Sequence, residues 1–152
     1  MKAVVLFSGG QDSCTVLEQA VAEYGSEVLA LSVVYGQRHA IELECAAKYA
    51  ATLGAQHQVI EASFFGALAP SALTGAGDVC ETDYSGYPDC RRGFIDALEV
   101  ALNAGSAANV QFVTPLMDLT KAETFALADK LGVLHRVLEM SHTCYEGVRE
   151  ER

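Results

Sequence analysis

The sequence predicts an α/β fold with an open parallel sheet flanked by helices, and three observations support this prediction. Short apolar runs without polar alternation, typical of parallel strands, occur at residues 3–7, 28–35 and, more briefly, 58–61. Stretches with apolar residues three and four positions apart, typical of helices, separate these runs. Gly25 and Gly54 stand where helices commonly end.

The helices between these strands are predicted from their apolar stripes. The stripe of the first helix consists of Cys14, Leu17, Ala20, Val21 and Tyr24. That of the second consists of Ile41, Cys45, Tyr49 and Leu53. Helical periodicity returns over residues 94–102, followed by a strand candidate at 110–113 and a helix after Thr120 through Leu131. Strands alternating with helices of this length indicate a parallel sheet with right-handed crossovers.

Composition and charge limit the classes of function. With 152 residues, 51% of them hydrophobic, the chain fits one globular domain, residues 1–152. Twenty acidic against ten basic residues give a formal net charge of -10, which would repel the phosphate backbone of nucleic acid. No segment resembles a membrane span or a signal peptide. We therefore expect a cytoplasmic protein that binds neither nucleic acid nor membranes and keeps its five cysteines reduced.

The stretch FSGGQDS, from Phe7 to Ser13, follows the first predicted strand directly. Its two glycines let the backbone approach an anion, and serine hydroxyls and the first amides of the next helix provide donors. The lysine of the common phosphate-binding loop is absent. A carboxylate beside phosphates is tolerated mainly when it caps the helix or holds a divalent cation. Two interpretations follow: an anion site, or a tight turn in which Asp12 or Ser13 is an ordinary N-cap.

SGGQDS after an N-terminal strand resembles the SGGxDS signature of the ATP pyrophosphatase superfamily, whose members cleave ATP between its α and β phosphates and transfer AMP to a substrate oxygen. The resemblance implies a Rossmann-like fold of the adenine nucleotide alpha hydrolase type. It also implies an ATP site that cradles the pyrophosphate portion, with Mg²⁺ alongside, formed by Phe7, Ser8, Gly9, Gly10, Gln11, Asp12 and Ser13. The absence of a lysine from this loop agrees with the resemblance, because the leaving group is the whole pyrophosphate.

Three further stretches narrow the resemblance: YGQRH at 35–39, CETDYSGYPDCR at 80–91 and TPLMDLTKAET at 114–124. Together with SGGQDS they resemble the 7-cyano-7-deazaguanine synthase family of queuosine biosynthesis, called QueC. The resemblance implies an ATP-dependent ligase, a homodimer, that converts 7-carboxy-7-deazaguanine and ammonia into a nitrile through adenylylated intermediates.

The resemblance also implies roles for individual residues. Asp12, Arg38 and Lys121 are the expected catalytic residues, although each cation also fits a solvated surface position. The expected substrate-binding residues, which would stack on the deazaguanine ring or bond its edge, are Tyr35, Gln37, Glu81, Asp83, Tyr84, Tyr87 and Asp89. Each of these, taken singly, also fits loop scaffolding. Histidines without ligand-like spacing, among them His57 and His135, are expected to be structural.

The sequence departs from the family pattern in two places. Cys144 in TCYEG resembles the first of four zinc ligands, but the family's remaining cysteines do not follow it, so this zinc site would be incomplete. Between Thr74 and Val79, GAGD stands where the family carries an insert of about one βα unit, roughly 30 residues. The chain is therefore either an internally shortened, inactive nucleotide-binding relative or part of a longer natural protein. Another adenylating amidase of the superfamily is a third interpretation.

Overall fold

The computed structural model of the chain describes residues 1–34, 40–62, 91–106 and 109–141, except for the side chains of 40–42. One sheet of parallel strands contains, in spatial order, β1 (Ala3–Leu6), β2 (Val28–Val34) and β3 (Gln56–Glu61). The helices of the described residues are α1 (Gln11–Tyr24), α2 (Ala40–Thr52), α3 (Arg92–Gly105), α4 (Lys121–Lys130) and α5 (Leu134–Met140).

The predicted α/β architecture with a parallel sheet is confirmed over the first half of the chain. Strands and helices alternate from β1 to β3, and α1 is followed by a short 3-10 turn, Gly25–Glu27. Ala3 lies opposite Val28, and Leu29 lies opposite Gln56. Because the strands are parallel, their carboxyl ends share one edge of the sheet, where ligands bind in open α/β folds. The loop that follows β1 is at this edge.

The core lies between one face of the sheet and helices α1, α2, α4 and α5. Val5 and Phe7 point into it, whereas Val4 and Leu6 are exposed on the opposite face. An uninterrupted apolar run is typical of a strand that is covered on both faces, but the described helices cover only one face of β1. Cys14 and Cys45 are buried and free, as predicted, and burial raises the pKa of the Cys14 thiol.

Residues 110–113 do not form a strand, so that prediction is also wrong. Side chains of α3 bind their backbone groups: the Asn103 amide accepts from Val110 N–H at 2.8 Å and donates to Val110 C=O at 2.7 Å. The Glu99 carboxylate accepts from the Phe112 amide at 2.5 Å. A β-branched apolar run indicates a strand only where another strand is available to pair with it. Here side chains of the neighbouring helix bind backbone groups of Val110 and Phe112 in place of a strand.

The last described helix was not predicted from the sequence. The periodicity after Thr120 predicted one helix through Leu131, but α4 ends at Lys130 and α5 follows after Gly132, whose φ is +73°. Val137 of α5 is fully buried in the core. Seven residues are too few for a helical period to stand out, so packing against the core defines this helix.

A buried carboxylate joins three helices. Glu18 of α1 accepts hydrogen bonds from Arg136 Nε at 2.6 Å and Nη2 at 3.1 Å, and from the Tyr49 hydroxyl at 2.9 Å. The side chain of Glu18 is only 6% exposed, whereas that of Arg136 is 37% exposed. Burial raises the pKa of Tyr49 further above neutrality, and its protonated hydroxyl is the donor to Glu18. The bidentate pair ties α5 to α1, and the tyrosine ties α2 to both.

Arg136→Ala should destabilise the protein by about 3 kcal/mol, because it leaves the buried Glu18 charge without its cation. The matched control is Lys48→Ala, which breaks the exposed helical pair with Glu44, whose side chains are 65% and 66% exposed. The control should cost less than about 0.5 kcal/mol. Urea unfolding followed by circular dichroism measures both losses. Equal losses in the two variants would contradict the proposed role of the buried pair.

Candidate active site

The loop between β1 and α1 leaves the sheet within a few residues. The Phe7 amide still donates to Leu31 C=O at 2.8 Å, which extends the ladder one residue past the strand. Gly9 then has a φ of 86°, a conformation that residues with a Cβ rarely adopt. Gly10, in extended conformation, is the N-cap of α1. The two glycines therefore turn the chain directly from the strand into the helix.

The N-terminus of α1 has no side-chain cap. The interpretation of Asp12 or Ser13 as an ordinary N-cap is therefore wrong, since both lie inside the first turn. The Ser13 hydroxyl donates to Gly10 C=O at 3.0 Å and lies 3.2 Å from the hydroxyl of Ser8. The first helical hydrogen bond runs from Cys14 N–H to Gly10 C=O at 2.9 Å. The positive end of the helix is thus arranged as anion-binding helix termini are.

Asp12 and Lys121, two of the three predicted catalytic residues, meet at this helix terminus. Lys121 Nζ donates to Asp12 Oδ1 at 2.8 Å, although the two residues are 109 positions apart. Both side chains are about half-exposed, so the pair remains open to solvent. The ammonium also lies 5.6 Å from the ring centroid of Phe125, a cation–π contact that orients the lysine. The fold therefore places a cation beside the uncapped end of α1.

The N-terminus of α4 differs from that of α1 because a capping box closes it. Thr120 accepts from the Glu123 amide at 3.3 Å, and the Glu123 carboxylate accepts from the Thr120 amide at 2.7 Å. The Thr120 amide first, and then the Thr120 hydroxyl, which donates to the same carboxylate at 2.7 Å, lower the pKa of Glu123. Lys121 is the first residue of this capped helix. The capping box thus holds Lys121 in place, while its side chain extends toward α1.

The other predicted site residues are only partly covered by the structure. Phe7 has its side chain in the core, with ring centroids 6.1 Å from Tyr49 and 6.2 Å from His57. Gln11 is the first residue of α1. Predicted residues that lie outside the described ranges are Tyr35, Gln37, Arg38, Glu81, Asp83, Tyr84, Tyr87, Asp89 and Cys144. Within the described ranges, no three His, Cys, Asp or Glu side chains are grouped to hold a metal ion.

Two residues beneath the loop were missed as site residues. Ser32 is buried on β2, where its hydroxyl donates to Phe7 C=O at 2.6 Å and lies 2.9 Å from His57 Nε2. His57 was expected to be structural, because its spacing is not that of a metal ligand. One signal was present in the sequence: Ser32 is the single polar residue inside the apolar strand VLALSVV.

A known protein family matches both halves of the chain. The family model described as "Queuosine biosynthesis protein QueC" matches the chain in two stretches, residues 2–79 and 76–152. Together the stretches cover all described elements. They meet at residues 76–79, within the region where the sequence departs from the family pattern.

Solved structures that are similar to the chain include two NAD synthetases. The NH3-dependent NAD synthetase of Campylobacter jejuni has 17% identity and a TM-score of 0.52, over 93% of this chain and 69% of that one. The glutamine-dependent NAD+ synthetase of Acinetobacter baumannii has 22% identity and a TM-score of 0.51, over 95% of this chain and 32% of that one. The likeness shows a Rossmann-like fold of the adenine nucleotide alpha hydrolase type. The chain thus spans about a third of the second synthetase. Among the described residues, no helix has both the length and the apolar character to cross a membrane.

Acid should loosen the start of α4 through Glu123. The pKa of this carboxyl is below its ordinary value of about 4.3, because the folded protein binds its charged form. The stability that ionised Glu123 adds to the folded protein is therefore complete above about pH 4.3. It is lost as the pH falls through the lower pKa that Glu123 has in the folded protein. NMR should show the Thr120 and Glu123 amide shifts following this titration.

Glu123→Gln is the matched control for this titration, because glutamine can complete a capping box but does not ionise. In this variant the pH dependence of the Thr120 amide should disappear. A Thr120 amide that responds identically in both proteins would contradict the assignment.

Proposed function

Since the chain belongs to the QueC family of queuosine biosynthesis proteins, we propose that it is an ATP-dependent ligase that converts 7-carboxy-7-deazaguanine and ammonia into 7-cyano-7-deazaguanine. One observation carries this proposal: SGGQDS, the ATP pyrophosphatase motif, opens the uncapped N-terminus of α1 beside Lys121. The family match supports the substrate. The helix terminus supports binding of a phosphate anion.

The chemistry explains why ATP is needed. A carboxylate is a poor electrophile, so transfer of AMP to one of its oxygens, with release of pyrophosphate, first makes that oxygen a leaving group. Ammonia displaces AMP and forms the amide. A second AMP transfer activates the amide oxygen, and loss of AMP with a proton leaves the nitrile. Catalysis depends on groups that bind the departing pyrophosphate more tightly as its charge develops.

The described residues include groups that can bind the departing pyrophosphate. Amides in the first turn of α1, together with the hydroxyl of Ser8, would bind the pyrophosphate oxygens, and the hydroxyl of Ser13 would exchange its bond to Gly10 C=O for one to the anion. Lys121 would neutralise the developing charge from the start of α4, where it is 2.8 Å from Asp12. Because a bound phosphate attracts this lysine, part of its interaction with Asp12 would be exchanged for one with the nucleotide. The half-exposed position of the pair allows the exchange.

Mg²⁺ fits the same site. This ion takes oxygen ligands and is commonly held by one or two carboxylates together with substrate phosphates. Asp12 offers a half-exposed carboxylate that already binds a cation, the Lys121 ammonium. Asp12 would therefore hold the ion, whose chemistry is to neutralise phosphate charge.

The zinc of the family does not fit the described residues. Zinc in a structural site takes four ligands, mostly thiolates. The described cysteines, Cys14 and Cys45, are buried in the core, where burial raises the pKa of the Cys14 thiol. Cys144 follows outside the described residues. No step of the proposed reaction is assigned to zinc.

The remaining roles are proposed from the family resemblance. Arg38 would join Lys121 in neutralising phosphate or carboxylate charge. The motif at 80–91 would hold the deazaguanine, with Tyr84 and Tyr87 stacking and Asp83 and Asp89 hydrogen bonding. Tyr35, Gln37 and Glu81 would complete the pocket. We propose a cytoplasmic homodimer that acts on small molecules.

A noncatalytic nucleotide-binding module is the second candidate. The family match is divided at residues 76–79, and the open face of β1 exposes Val4 and Leu6. Both observations are consistent with a domain that lacks part of its family's sheet. Calorimetry separates the candidates, because a module binds ATP without releasing pyrophosphate. An enzyme of the same superfamily with another substrate would release pyrophosphate only with a different acid, such as a nicotinate-type acid.

Pyrophosphate release should require 7-carboxy-7-deazaguanine and ammonia, and mass spectrometry should detect the nitrile. Lys121→Ala should lower kcat/KM about 100-fold, the size expected for loss of one group that stabilises transition-state charge. Asp12→Asn should also lower it. Lys130→Ala, at the other end of the same helix, is the matched control and should leave kcat/KM unchanged. ATP binding without pyrophosphate release in the wild type would refute the ligase proposal.

A further inference from the structure

A chain of polar groups crosses the sheet directly beneath the loop. His57 on β3, Ser32 on β2 and the carbonyl of Phe7 at the end of β1 are linked by contacts of 2.9 and 2.6 Å. Ser32 is 2% exposed. A buried hydroxyl in an apolar strand is costly unless it is hydrogen bonded, and here both of its partners belong to the support of the loop.

The direction of these hydrogen bonds follows from the chemistry of the groups. The Phe7 carbonyl can only accept, so the hydroxyl of Ser32 donates its one proton to that carbonyl. Its contact with His57 is therefore one in which the serine oxygen accepts and Nε2–H donates. Burial lowers the pKa of His57, which favours the neutral ring, and the serine contact places the ring proton on Nε2. The hydrogen bonds therefore run from His57 as donor, through Ser32, to the Phe7 carbonyl as final acceptor.

Fixing the Phe7 carbonyl also fixes the next amide. The peptide bond is planar and trans, so the Phe7 C=O and the Ser8 N–H point in opposite directions. Since Ser32 holds the carbonyl toward β2, the Ser8 N–H points away from β2. The His57 ring adds a second restraint, because it meets the Phe7 ring edge-on at 6.2 Å and 87°.

We infer that Ser32 and His57 are positioning residues for the anion loop: they orient the peptide between Phe7 and Ser8 so that the Ser8 N–H is a preformed donor to pyrophosphate. This inference rests on the proposed function of the loop. Neither side chain touches the anion. Their effect is to remove the reorientation that the loop would otherwise undergo when the anion binds.

The first test compares isosteric variants in binding of inorganic pyrophosphate by calorimetry. Ser32→Thr keeps the hydroxyl and should bind as the wild type does, whereas Ser32→Val replaces it with a methyl group and should bind about 10-fold more weakly. His57→Gln keeps an N–H donor at similar reach and should outperform His57→Leu. The control His135→Leu changes a histidine that is 86% exposed and should have no effect. Thermal unfolding without ligand is measured for every variant.

Retention of binding in both Ser32→Val and His57→Leu would overturn the inference while leaving the proposed function intact. Failure of the wild type to bind pyrophosphate would overturn the proposed function and this inference with it. Weaker binding in Ser32→Val at an unfolding midpoint equal to that of Ser32→Thr supports the inference, because a purely structural role would move both quantities.

The second test uses only the wild-type protein, so it does not depend on the folding of a variant. Imidazole nitrogen shifts in the wild type should show the proton of His57 on Nε2. Addition of pyrophosphate should move the Ser8 amide proton downfield, as expected for a hydrogen bond to an anion. A proton on Nδ1 with Nε2 bare, or a Ser8 amide that does not respond while pyrophosphate binds, would overturn the inference.

Discussion

The placement of α1 is the constraint on which the rest of the structure depends. At its start, the helix is tied to the sheet by a loop of four residues whose first amide still pairs with Leu31. About two turns further on, Glu18 is bound by Arg136 and Tyr49 in the core. A helix held at both points has little freedom to slide or rotate. Its N-terminus is therefore presented at the carboxyl edge of the sheet in a defined direction.

The N-termini of α1 and α4 meet at that edge, and they differ in their capping. The capping box of Thr120 and Glu123 satisfies the start of α4, whereas α1 begins at Gly10 with no side-chain cap. An uncapped terminus leaves donors for a ligand, at a cost in the stability of the free protein. Lys121, supplied by the capped helix, adds positive charge where an acidic protein of net charge -10 would otherwise repel a nucleotide.

The buried polar groups of the described region have distinct positions and effects. Glu18 with Arg136 joins helices that surround the core, and it acts on the position of α1 as a whole. Ser32 with His57 lies within the sheet, directly under the first peptide of the loop. The first pair sets where the site is, and the second sets the direction of the Ser8 N–H. Both pairs occupy positions where an apolar residue would cost less free energy to bury, if packing were the only requirement.

Local sequence was sufficient to determine β1, α1, β2, α2, β3 and the family, because apolar periodicity, glycine placement and the SGGQDS string depend on residues close together in the chain. It failed at residues 110–113 and at Leu134–Met140, where the outcome depended on which partner was available. Tertiary structure alone decided that Lys121 meets Asp12 and that Ser32 supports Phe7. Such pairs, 109 and 25 positions apart, have no local signal, since hydrogen-bond partners across a fold are chosen by the packing of whole elements.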